Sequence, residues 1–280
     1  MSIASNCPEC GLPIGVTILA VVDPYAKELQ PIARPLLTFA GLMLWASGAM
    51  AVAFLMWAMH LGSMVYSMFS ITVIPSWGPP AICIATLLSG LGAAVLIRPH
   101  ANIPRRQILA AAAASAAFLP LAWLHWDLFS NTANGLGFDY FSSRVDSERV
   151  AVRLLCGLLG VLITIGLRPN ARVLVSRSLV LRTGRMDRQT MYALAAAFGV
   201  GVVGDAIQLA SGGLRPVSMD VLRSVGVALS VLSAFLCTLG LVSIFVDTWR
   251  LRRAVLSEPL DLDQLIDPPK PEGSDEPRRA

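Results

Sequence analysis

The chain has 280 residues, of which 55% are hydrophobic and only 14% are charged, and its formal net charge is +4. Soluble domains have about a quarter of their residues charged, so this composition excludes an ordinary soluble protein. No cluster of Lys or Arg is interleaved with aromatic residues, which argues against binding to nucleic acid.

The first segment, residues 1–34, contains a CPECG sequence at residues 7–11. Two cysteines at this spacing are typical of a zinc knuckle, but structural zinc requires four ligands, usually from two such pairs. No second CxxC pair occurs, so Cys7 and Cys10 form half a site. Three alternatives stay open: an unmetallated or vestigial knuckle, a zinc ion completed by a second chain, and a redox-active dithiol.

The knuckle is followed by Asp23-Pro24 and then by several long apolar segments. A CPECGLP sequence before a DPxxx segment and several membrane spans resembles uncharacterised multi-pass membrane proteins of planctomycete-type bacteria. The resemblance covers the N-terminal segment and the general layout. It implies a location in the bacterial inner membrane, and it transfers no activity.

The apolar segments predict an all-α integral membrane protein, a bundle of six transmembrane helices within residues 35–249. A spanning helix needs about 20 apolar residues, and the 63 residues from Pro35 to Ile97 contain no Asp, Glu, Lys, Arg, Asn or Gln. This stretch therefore contains two spans. The six predicted spans are Pro35–Met59, Gly78–Ile97, Gln107–Trp126, Val150–Leu167, Met191–Ala210 and Val221–Val246.

Proline and arginine residues mark the predicted ends of two spans. Arg98-Pro99 and Arg168-Pro169 are predicted to end the second and fourth spans, because proline cannot continue a helix and arginine favours its carbonyl end. The two stops also suggest a faint internal repeat. The apolar segment Leu61–Trp77 is predicted to be interfacial or re-entrant, and a seventh span is the alternative.

Basic residues predict the orientation of the bundle. With the six spans above, 17 of the 22 basic residues fall on one side of the membrane and five on the other. Lys and Arg are retained on the cytoplasmic side, so both termini are predicted to be cytoplasmic. The tail, residues 250–280, is also predicted to be cytoplasmic and, being rich in proline and charge, disordered.

Four polar residues in or near the predicted spans are the candidate intramembrane groups: Asp205, Gln208, Arg153 and Arg223. Asp205 is the only carboxylate deep in a predicted span, where an ionised group must be paired, protonated or hydrated. We therefore predict an ion pair between Asp205 and either Arg153 or Arg223, each of which enters a neighbouring span from the same side.

The sequence GVGVVG at residues 199–204 matches a dinucleotide-binding pattern but lies within a predicted span, where no strand precedes it. A helix instead places Ala197, Gly201, Gly204 and Gln208 on one face. Small residues on one face are typical of a surface against which a neighbouring helix packs closely.

Three functions stay open. The first is a non-enzymatic membrane protein that assembles with partners, either a second copy or another membrane protein. The second is a small transporter or channel that uses Asp205 and Gln208. The third is a membrane-embedded enzyme, although no nucleophile and base can be named, and His125 with Asp127 is assigned to the interface. A polar pocket between the spans would favour the second function.

Overall fold

The computed structural model describes residues 32, 34–68, 77–99, 103–130, 140–141, 147–175, 190–211 and 216–256. The knuckle cysteines Cys7 and Cys10 and the predicted tail beyond residue 256 lie outside the described residues, and the predictions made for them stay predictions.

All regular secondary structure in the described part of the chain is helical, and this part contains no strand. Six of its helical segments are long and apolar enough to cross a membrane, which confirms the predicted all-α class and the number of apolar spans. The helices are α1 (Pro35–Met68), α2 (Gly78–Val95), α3 (Arg105–Ala116), α4 (Phe118–Ser130), α5 (Ser147–Val175), α6 (Thr190–Ala210) and α7 (Pro216–Leu256).

The third span, Arg105–Ser130, is one of the six apolar spans, but its regular helix is interrupted near the middle at Ala117, whose backbone stays in the α-helical region. Ala117 separates α3 from α4, and its N–H is shared between the carbonyls of Ala113 and Ser115. Pro120 explains the break, because its ring has no N–H for the carbonyl of Ala116 and collides with it.

The fourth span continues through Pro169 to Val175, so the prediction that Arg168-Pro169 ends it was wrong. Proline inside a helix costs one hydrogen bond and some steric strain, which a tertiary contact must offset. Here the next residue, Asn170, is fully buried and its amide donates to the carbonyls of Leu96 and Ile97 at the end of α2. This contact holds the last turns of α5 in place and supplies hydrogen-bond donors to the carbonyl end of α2.

Small residues allow the helices to approach closely. A Cβ added at Gly92 of α2 would lie 2.2 Å from the backbone nitrogen of Trp45 in α1. A Cβ added at Gly204 of α6 would lie 2.7 Å from the carbonyl oxygen of Gly226 in α7. Ser233 of α7 packs against Gly201, so the predicted small-residue face of α6 does meet a neighbouring helix.

Neighbouring helices in the bundle run antiparallel, and this defines two ends. The start of α2 lies against the end of α1, as Gly78 meets Met59, and the start of α7 lies against the end of α6. The Arg-poor end holds the last residues of α1, α4 and α6, and the Arg-rich end holds the last residues of α2, α5 and α7. Near the Arg-rich end, the guanidinium carbon of Arg168 lies 3.7 Å from the ring centroid of Tyr192.

Candidate functional site

The interior of the bundle contains a pocket of about 180 Å³, lined by residues of α1, α2, α4, α5, α6 and α7. Most of its wall is apolar or aromatic, and it includes Trp45, Phe118 and Phe198. The ionisable residues Arg153 and Asp205 lie toward the Arg-poor end of the wall, and hydroxyl groups such as that of Thr164 lie farther along it. The pocket therefore has an apolar body and a polar region at one end.

The polar region is built around an ion pair between α5 and α6. The Arg153 Nη2 atom lies 2.6 Å from the Asp205 Oδ1 atom, and the two side chains are only 2% and 7% exposed. Of the two partners expected for Asp205, the structure places Arg153 beside it. Arg223 is half-buried on α7, and it forms no ion pair with Asp205 in the described part of the chain.

The carboxylate of Asp205 receives three hydrogen bonds, and all of them end on Oδ1. Arg153 Nη2 donates over 2.6 Å, the Ser230 hydroxyl over 2.9 Å and the Gln208 amide over 3.3 Å. Gln208 also accepts from Arg153 Nη2 through its own carbonyl oxygen, over 3.1 Å. Among the described residues, none donates to Asp205 Oδ2, so this oxygen has capacity for a further donor.

Arg153 is held from the other side by the short segment between α4 and α5. Its Nη1 donates to the Tyr140 backbone carbonyl, and its guanidinium carbon lies 5.5 Å from the Tyr140 ring centroid. Burial raises the pKa of the Tyr140 phenol above its ordinary value, so the ring stays neutral next to the ion pair. The Arg153 Nε atom is buried and has no hydrogen-bond partner in the described structure.

A second polar contact, between Thr86 of α2 and His125 of α4, lies in another part of the pocket wall. The Thr86 hydroxyl oxygen lies 2.8 Å from the Ile82 carbonyl oxygen and 2.9 Å from His125 Nδ1. The Thr86 hydroxyl has one hydrogen, so it donates either to Ile82 or to His125, and the tautomer of the His125 ring decides which. No described residue is a hydrogen-bond partner of His125 Nε2. The sequence analysis had assigned His125 to the interface, but the structure places it in this wall.

Two thiols also line the pocket. Cys156 on α5 and Cys237 on α7 are both buried, and Cys237 lies near the middle of its helix. Cys83 on α2 is half-exposed and is not part of the pocket wall. Within the described ranges, no group of three or more His, Cys, Asp or Glu side chains could hold a metal ion.

Sequence reasoning identified the charged residues of the site but missed Ser230, Thr86 and the pocket itself. In the sequence, Ser230 and Thr86 cannot be distinguished from the other serine and threonine residues of apolar helices. Two signals were available for the pocket wall: Pro120, which marks a break in the third span, and His125 within the same span.

Comparisons of the chain with protein-family models, with curated proteins and with solved structures give no match. The site geometry therefore has to be interpreted from its own chemistry.

Proposed function

We propose that this chain is a polytopic membrane protein that carries a small solute through the pocket between its helices. The observation that supports this proposal is the pocket of about 180 Å³ with the buried Arg153–Asp205 pair in its wall. Ionisable residues within membrane spans typically pair with one another and mark substrate or ion pathways. From the sequence alone, assembly with partners came first among the three functions, whereas the pocket supports the second of them, a small transporter.

The broken third span supports the same proposal. Transporters commonly form their solute sites near the bilayer midplane from interrupted helices. Here the break at Ala117 falls near the middle of the span Arg105–Ser130, and the next residue, Phe118, lines the pocket.

For the location we keep the sequence-based prediction: a bacterial inner membrane, with both termini in the cytoplasm. The excess of arginine at one end of the bundle supports this orientation, which makes the Arg-poor end the outer end. The polar region of the pocket then lies toward the outer side. A zinc ion shared by Cys7 and Cys10 of two chains remains part of the proposal as a means of dimerisation.

The proposal is tested by measuring the chemical modification of Cys237, in a variant whose other four cysteines are replaced by serine. A carrier opens its pocket to both sides in turn, so a membrane-impermeant methanethiosulfonate should modify Cys237 in sealed vesicles when added to either side. A matched variant that keeps only Cys83, outside the pocket, should react from neither side. Modification of Cys237 from one side alone, or from neither side, would contradict passage of a solute.

A further inference from the structure

The pocket wall has acceptors that no described residue satisfies, whereas its unpartnered donor, Arg153 Nε, is buried and has no surface open to a ligand. Asp205 Oδ2 receives no hydrogen bond from any described residue, because all three donors end on Oδ1. Elsewhere in the wall, His125 Nδ1 contacts the Thr86 hydroxyl, and the tautomer that donates from Nδ1 leaves Nε2 as an acceptor. A ligand that supplies a hydrogen-bond donor would satisfy what the protein leaves open.

The size of the pocket limits the ligand. A cavity of about 150 Å³ with apolar walls is large enough for benzene. The present pocket, at about 180 Å³, therefore holds one ring of that size with one or two further atoms. Its aromatic side chains, among them Phe118 and Phe198, suit the flat faces of such a molecule.

The charge of the wall limits the ligand further. Arg153 and Asp205 neutralise each other, so the pair adds no net charge to the pocket. A cationic ligand at Asp205 would lie next to Arg153, and an anionic ligand would lie next to Asp205. Either charge would remain without a counter-charge in a low-dielectric interior, which is costly. A neutral molecule avoids both costs.

From these three limits we infer that the pocket takes a small neutral molecule with an apolar body and a hydroxyl group, and that the hydroxyl donates to Asp205 Oδ2. This inference rests on the proposed function, since it assigns the class of solute that the carrier would accept. In the tautomer protonated at Nδ1, His125 Nε2 is a second acceptor that a ligand with a further donor could use.

The test uses phenol and toluene, which have almost the same shape and differ in the hydroxyl donor. Each probe is added to the full chain in lipid nanodiscs, in the variant with Cys237 as the only thiol, and protection of Cys237 from N-ethylmaleimide is measured. A hydrogen bond to a carboxylate predicts that phenol protects at roughly a tenfold lower free concentration than toluene. Asp205→Asn should remove this preference while toluene protects as before.

A separate variant covers the case in which Asp205→Asn does not fold. His125→Phe leaves the ion pair intact and should weaken protection by resorcinol, which has two hydroxyls, by about threefold more than protection by phenol. Equal protection by phenol and toluene, lost when Ala49→Leu fills the pocket, would overturn the hydroxyl assignment and leave the carrier proposal standing. No protection by either probe would overturn both.

Discussion

The buried Arg153–Asp205 ion pair is expected to contribute measurably to the free energy of unfolding. Both side chains are almost fully buried, at 2% and 7% exposure, so the pair belongs to the buried class rather than to weak surface pairs. Removing one partner of a buried pair costs about 3–5 kcal/mol, because the other charge is left without compensation. Asp205→Asn and Arg153→Met should therefore each lower the free energy of unfolding by about this amount.

The two single variants should not be equal. Asp205→Asn leaves a guanidinium that keeps its charge, whereas Arg153→Met leaves a carboxyl group that can take up a proton and still accept from Ser230. Asp205→Asn should therefore be the more damaging change. The double variant leaves no charge unpaired. Its loss in free energy of unfolding should therefore be smaller, by about 2 kcal/mol, than the sum of the two single losses.

Denaturant unfolding in mild detergent, followed by circular dichroism, measures all four proteins of this cycle. Arg223→Met is the matched control, because Arg223 is a half-buried arginine on α7 that forms no ion pair with Asp205 in the described structure. It should cost less than about 1 kcal/mol. If Asp205→Asn is as stable as this control, or if the two single effects simply add, the reasoning about the pair is refuted.

Three further predictions concern packing and metal binding. Asn170→Ala should lower the free energy of unfolding by about 1–3 kcal/mol in the same assay, since it leaves two carbonyls at the end of α2 without their donor; an unchanged value would contradict this. Gly92→Ala should destabilise by about 1–3 kcal/mol because the new methyl meets backbone atoms of α1, whereas Gly199→Ala, which meets nothing within 4 Å, should cost nothing. Purified protein should contain about one zinc ion per two chains if Cys7 and Cys10 complete a site across a dimer, and Cys7→Ser should abolish it; metal-free protein of the same oligomeric state would leave the vestigial alternative.

Most of the fold could be predicted from composition and spacing. A long run without charged or amide side chains has to satisfy its backbone within helices, and the structure has two apolar helices of spanning length between Pro35 and Ile97, the number expected. The failures occur where tertiary contacts override a local signal. Pro169 is a helix stop by local rules, but the buried contact of Asn170 with the end of α2 keeps α5 helical.

The site could be predicted only in part, for a similar reason. Asp205 is conspicuous because a carboxylate within a span requires an explanation, and Arg153 follows because it is a cation at a compatible depth. The sequence alone could not choose between Arg153 and Arg223, since that choice depends on the rotation of α5 and α7 about their axes. The pocket is a volume between six helices, and no residue type or spacing reports such a volume directly.

The proposed route of the small molecule is the pocket inside the bundle, and the rate at which Cys237 is modified tests that claim. Ala49 lines the pocket, so Ala49→Leu should fill part of it and slow modification of Cys237. The matched control Ala196→Leu adds the same side chain on the exposed surface of α6 and should leave the rate unchanged. Leucine adds three carbon atoms to a pocket that fits one aromatic ring. We therefore expect the modification of Cys237 to slow by about tenfold or more. Equal rates in the two variants would contradict the claim.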